Sequence, residues 1–128
     1  MAINILIVDD SAVMRAMILK SLRMTGLDIG ETCQAGNGQE GLEALNDNWI
    51  DVVIVDINMP VMNGEEMIDH MRDNPATADI PIVVISTEGS EERLHRLKEK
   101  GAAFIHKPFT PETIRDTMRT MLHLEDDD

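Results

Sequence analysis

Cysteine occurs once in these 128 residues, at Cys33, so a single chain can build neither a disulfide framework nor a cysteine-based zinc site. The expected state of Cys33 is a buried apolar thiol in a strand, not a redox centre. Basic side chains are also scarce. Eleven Lys and Arg stand against 24 Asp and Glu, and the net charge of −13 argues against nonspecific nucleic-acid binding through a broad basic face. No apolar run approaches the roughly 20 residues of a membrane-spanning helix, so membrane insertion is not expected. The start lacks a signal-peptide pattern, which makes cytoplasmic the expected location. Internal repeats and low-complexity linkers are missing too. The expectation is a single domain over residues 1–124, followed by a disordered acidic tail over 125–128.

Four short apolar runs are present, and each ends in polar residues. Ile5-Leu6-Ile7-Val8 ends in Asp9-Asp10, and Val52-Val53-Ile54-Val55 ends in Asp56. Ile82-Val83-Val84-Ile85 ends in Ser86-Thr87, and Ala102-Ala103-Phe104-Ile105-His106 ends in Lys107-Pro108. Between the strand-like runs lie helical ones. Ser11 caps a helix to about Thr25, closed by Gly26, and a strand over 29–34 precedes a short helix opened by Asn37-Gly38. After the Met59-Pro60 and Asn63-Gly64 loop, a helix is expected from Glu65 to Arg72. Ser90 with Glu91 and Glu92 starts the fourth helix. Thr110 caps the last one, with Pro111 in its first position and Ile114, Met118, Met121 and Leu122 on its core face.

Five such units make a doubly wound α/β fold: a five-stranded parallel sheet, flavodoxin-like, with five helices on its two faces. Its expected order, 2-1-3-4-5, is the known order of that fold class and is taken from it. Strands 1 and 3 are then adjacent, and Asp9, Asp10 and Asp56 become neighbours at the edge where such sheets bind ligands. Three close carboxylates repel one another unless one keeps a proton or a cation binds. Oxygen-only donors favour Mg²⁺. Asp56 is the natural nucleophile, able to form an acyl phosphate, while Lys107 and Ser86 would hold phosphate oxygens.

Val8-Asp9-Asp10-Ser11, Asp56-Ile57-Asn58-Met59-Pro60, Gly64, Ser86 and Lys107-Pro108-Phe109, in that order and spacing, resemble the receiver domains of two-component response regulators. The likeness covers essentially the whole chain and is nearest to the stand-alone chemotaxis type. It implies that Asp56 takes phosphate from a histidine kinase, that Asp9 and Asp10 form the acidic pair, and that the backbone carbonyl of Asn58 completes the Mg²⁺ ligands. It makes Ser86 and Phe104 the switch pair, with Asn58 and Glu88 tuning dephosphorylation. Phe104 has no hydroxyl to offer a partner, and Asn63-Gly64 replaces the commoner Asp-Gly. The implied protein is a phosphoacceptor switch, not a turnover enzyme, catalysing only its own phosphorylation and autodephosphorylation.

Phosphorylation would bias an existing equilibrium and change helix 4, strand 5 and helix 5. Those helices carry Arg93, Arg96, Lys98, Lys100, Arg115 and Arg119, an expected docking face for an acidic output segment. A flagellar motor switch protein and a phosphatase are the candidate partners, and a monomer is expected. Rival readings are a phosphorelay intermediate, a phosphate sink, and an Asp-nucleophile phosphatase. The last wants an acid two residues after the nucleophile, where this chain has Asn58. A flavodoxin is disfavoured by the acidic first turn. Met14, Met17, Met67, Met71, Met118 and Met121 are expected to fill core gaps. The four histidines lack metal-ligand spacing.

Overall fold

The computed structural model describes residues 2–87 and 90–124. Ten elements alternate along the chain: β1 (Ile3–Val8), α1 (Ala12–Arg23), β2 (Ile29–Ala35), α2 (Gly38–Asp47), β3 (Val52–Val55), α3 (Gly64–Asp73), β4 (Ile82–Ser86), α4 (Glu91–Glu99), β5 (Ala102–His106) and α5 (Pro111–Met121). All paired strands are parallel, in the order β2-β1-β3-β4-β5. Side-chain alternation divides the core in two. Leu6, Val8, Val53, Val55, Ile82 and Val84 face α2, α3 and α4 through Leu45, Met67, Ile68, Met71 and Leu97. Ile5, Ile7, Val52, Ile54, Val83 and Ile85 face α1 and α5 through Ile18, Leu22, Ile114 and Met118. Strands buried on both faces explain the continuous apolar runs.

Each helix begins with a side-chain cap that accepts from a backbone N–H of its first turn: Ser11, Asn37, Asn63, Ser90 and Thr110. Asn63 and Glu66 form a reciprocal capping box. Four helices carry glutamate in the first turn, and α1 carries no acidic residue there. No helix among the described residues is long and apolar enough to cross a membrane.

Some boundaries and burial states differ from expectation. The first helix stops at Arg23, because the buried Thr25 hydroxyl donates to the Leu22 carbonyl at 2.6 Å and turns the chain toward Gly26 at φ 81°. The second strand extends through Ala35, whose carbonyl accepts from the Asp9 N–H at 3.1 Å. Cys33 is half-buried against the α2–α3–α4 core. Among the methionines, Met67, Met71 and Met118 are buried as expected, but Met17 is 50% exposed. The α1 helix turns Ile18 and Leu22 inward, which leaves Met17 outside.

Candidate functional site

The carboxyl ends of β1 and β3 lie side by side because Val8 pairs with Val55. The residues that follow therefore converge: one carboxylate oxygen from each of Asp9, Asp10 and Asp56 lies within 4.8 Å of the others. Asp9 is almost fully buried, Asp56 half-buried and Asp10 exposed. Burial pushes the Asp9 carboxyl above its ordinary value, and the Asp56 charge adds to that. The Ser11 N–H and the Lys107 ammonium oppose the rise.

Lys107 follows β5 and reaches back over the cluster. Its Nζ lies 3.4 Å from Asp9 Oδ2 and 3.6 Å from Asp56 Oδ2. The Lys107–Pro108 bond is cis, and the Lys107 N–H donates to the Ser86 carbonyl at 3.0 Å, tying the two strand ends together. Asp56 Oδ1 accepts from the Ile57 N–H at 2.8 Å. Ser86 is buried at the end of β4. Thus one ammonium meets two of the three carboxylates, and the donor set is all oxygen. These residues fit a hard divalent cation such as Mg²⁺, which takes one or two carboxylates together with carbonyl and water oxygens.

Gly64 holds the loop after Asp56 in place. Its N–H donates to the Ile57 carbonyl at 2.8 Å, and a side chain there would strike the Asp56 carbonyl. Arg15 is a further site residue, one that no sequence motif marks. Its Nη1 donates to the Asp9 carbonyl at 2.6 Å and its Nε to Gln34 Oε1 at 3.0 Å, bracing the acidic turn against β2. Only its place one turn into α1, after Asp9-Asp10, could have pointed to it.

Phe104 pairs in register with Val84, and His106 with Ser86, so all four share the sheet face that carries α4. Phe104 is half-buried, and the His106 ring meets it edge-on with centroids 4.7 Å apart. Asn58 is exposed beside Asp56. Glu88 and the acidic tail 125–128 lie outside the described residues.

The basic side chains of helices 4 and 5 are largely drawn into ion pairs within the chain. Arg93, Arg96 and Lys100 turn toward α3, where they pair with Glu65, and Lys100 also pairs with Asp69. Arg115 pairs with Asp116 at 3.2 Å. Lys98 remains exposed on α4, and Arg119 is half-buried on α5. Much of the positive charge expected to greet an acidic partner is therefore neutralised within the chain.

Trp49 stands before β3 and Asp56 after it, a separation of roughly 20 Å for extended chain. The indole is 79% exposed and donates to Asp51 Oδ1 at 3.0 Å. Its fluorescence is expected to stay unchanged when Mg²⁺ is titrated in. Strong quenching would show this separation to be wrong.

Residues 5–119 match the response regulator receiver domain. Helicobacter pylori chemotaxis protein CheY1 is 35% identical over 125 residues, covering 96% of this chain and 99% of that protein. A Campylobacter jejuni chemotaxis protein CheY homologue is 36% identical over 121 residues, covering 93% of this chain and 92% of that protein. Among solved structures, Vibrio cholerae chemotaxis protein CheY4 superposes with a TM-score of 0.83 at 35% identity, over 95% of this chain and all of that one.

Proposed function

The chain belongs to the response regulator receiver domain family, and on that premise we propose that it is a stand-alone chemotaxis or motility switch, phosphorylated on Asp56 by a histidine kinase. The observation that carries this reading is Asp56 itself. It is a partly exposed carboxylate at the mouth of a carboxylate cluster, with one ammonium 3.6 Å away. In the transfer, the N–P bond of a phosphohistidine breaks as an Asp56 carboxylate oxygen bonds to phosphorus, and the imidazole leaves and takes up a proton. Asp10, Asp56 and the Asn58 carbonyl, with Asp9 behind them, would hold Mg²⁺, which supplies charge neutralisation to the phosphoryl group when bound. Lys107 and the Ser86 hydroxyl take the remaining phosphate oxygens. Lys107 keeps a cation at the site before the phosphoryl group arrives, so little reorganisation is needed on transfer.

Two relatives of matching length are named as chemotaxis proteins, which supports the chemotaxis assignment. The output surface is the α4–β5–α5 face, and at its β5–α5 edge Phe104, Asp116, Thr117, Thr120 and Met121 line a shallow cavity of about 280 Å³. A motor switch segment or a phosphatase fits there as partner. Phosphate drawing Ser86 toward Asp56 frees space on the face that Ser86 and Phe104 share. The direct experiment is incubation with phosphorylated candidate kinases and Mg²⁺, following label transfer and co-purifying partners. Failure to take label from any phosphodonor, including small acyl phosphates, removes the reading.

The phosphodonor also needs a place to dock. An apolar groove of about 590 Å³, lined by Met14, Met17, Met24, Pro108, Phe109 and Lys107, runs between α1 and the start of α5. It adjoins the acceptor site through Lys107, so a helix seated there delivers its phosphohistidine to Asp56. Met17→Asp is expected to slow transfer from the kinase about tenfold, the effect of losing one apolar anchor. Phosphorylation by a small acyl phosphate should be untouched. Equal slowing with both donors would remove the docking assignment.

A further inference from the structure

Outside the acidic site, charge is concentrated in the seam between α3 and α4. Arg93, Arg96 and Lys100 are spaced to share one face of α4, and all three reach the same carboxylate. Arg96 Nε and Nη2 lie 2.9 and 3.3 Å from the two Glu65 oxygens, Lys100 Nζ 3.1 Å and Arg93 Nε 3.6 Å. Lys100 also meets Asp69 at 2.8 Å. The Glu65 side chain is only 16% exposed. The Arg96 hydrogen bond, opposed by burial and aided by Lys100, lowers its pKa to about 2. Burial works against the Lys100 ammonium, but its hydrogen bonds to Asp69 and Glu65 outweigh this and raise its pKa.

Both ends of this cluster are anchored. Glu65 directly follows Gly64, whose backbone is wedged against Asp56 and Ile57. At the far end, Arg72 of α3 donates from Nε to the Lys100 carbonyl at 2.8 Å, and from Nη1 to the Ala78 and Ile80 carbonyls at 2.9 Å each. The C-terminal end of α4 is thereby fixed. The body of α4 packs on β5 with Leu97 buried and Leu94 half-buried, a modest apolar anchor. Three cations drawn onto one carboxylate repel one another, so removing that one charge does more than delete a single pair.

We propose that Glu65 is a positioning residue that couples the phosphoacceptor to α4. Its ion cluster holds α4 in the resting arrangement, and phosphorylation of Asp56, the function proposed above, has to part it. The Arg72–Lys100 clamp serves as the pivot. A shift of the Asp56 backbone reaches Glu65 through Gly64 with no flexible segment between them.

The test uses the full chain with Glu65→Gln, Glu65→Asp, and the charge exchange Glu65→Arg with Arg96→Glu. Hydrogen exchange of the α4 amides is followed without phosphodonor, and the rate of phosphorylation by a small acyl phosphate with Mg²⁺ is measured in parallel. At low salt, Glu65→Gln is expected to speed α4 exchange about tenfold and phosphorylation about threefold. At about 1 M salt wild type should move only part of the way toward the variant, because salt screens the exposed Arg96 end of the cluster more than the half-buried Glu65. Glu65→Asp should fall between them, and the charge exchange, which regains only the pair with position 96 and sets the new guanidinium against Arg93 and Lys100, should leave α4 exchange fast. A lowered melting temperature with unchanged α4 exchange and unchanged phosphorylation would leave Glu65 a purely stabilising residue and overturn the proposal. Should the variants not fold, wild-type α4 exchange that stays unchanged on phosphorylation overturns it as well. If the wild type accepts no phosphate, the proposed function falls, and the exchange measurements alone decide the latch.

Discussion

Asp56→Asn is expected to abolish phosphate uptake, with labelling from kinase or acyl phosphate falling by about a thousandfold or more. A neutral amide is a poor nucleophile, and among the described residues no neighbouring group is placed to replace the lost carboxylate in function. Asp9 is buried and pairs with Lys107, and Asp10 starts the turn into α1. The fold should survive, because an amide oxygen can still accept the Ile57 N–H now bound at 2.8 Å. Removing one of three mutually repelling carboxylates should leave stability unchanged or raise it by about 1 kcal/mol. Label counting and a thermal melt check both halves. An Asp56→Asn protein that labels like wild type would end the assignment of Asp56 as acceptor.

The acidic cluster was legible in the sequence because parallel strands place their ends on one edge, and the strand order known for this fold class sets strands 1 and 3 side by side, bringing Asp9, Asp10 and Asp56 together. Caps were legible for a similar reason: Ser11, Asn37, Ser90 and Thr110 act on their own helices, within three residues. What sequence could not supply was the rotation of one helix against another. The spacing of Arg93, Arg96 and Lys100 gives them a common face, yet nothing local says that this face meets Glu65 instead of solvent. Met17 is misread for the same reason, since a helical period does not say where the apolar stripe stops. Arg15 acts through the carbonyl of Asp9, a backbone group that leaves no trace in side-chain patterns.

Gly64→Ala is the second large effect expected. The added methyl would press on the Asp56 carbonyl oxygen and lie 3.0 Å from the Asp56 carbonyl carbon and the Ile57 Cα. All are backbone atoms at the end of a buried strand, so they cannot yield as a flexible side chain would. The cost should be about 3 kcal/mol, the upper end of the usual overpacking range, because these neighbours cannot move. Urea unfolding would read this as a lower midpoint with an unchanged slope. Phosphorylation should fail too, because relief comes only by moving the Asp56 backbone or tilting the start of α3. A fully stable, fully active Gly64→Ala protein would mean that the contact between this loop and Asp56 is looser than described.

The missing acid in the first turn of α1 has a consequence of its own. In this architecture all five helices start at the edge where the strands end, so five sets of aligned peptide dipoles point their positive ends toward the acceptor site. In α2, α3, α4 and α5 the glutamates of the first turn consume that potential locally. Only α1 leaves it unspent, and α1 begins two residues after Asp10. Its cap is a neutral hydroxyl, which satisfies an N–H without cancelling the field. The peptide backbone itself thus serves as a fixed partial counter-ion for Asp9 and Asp10, present whether or not any ion or phosphoryl group has arrived.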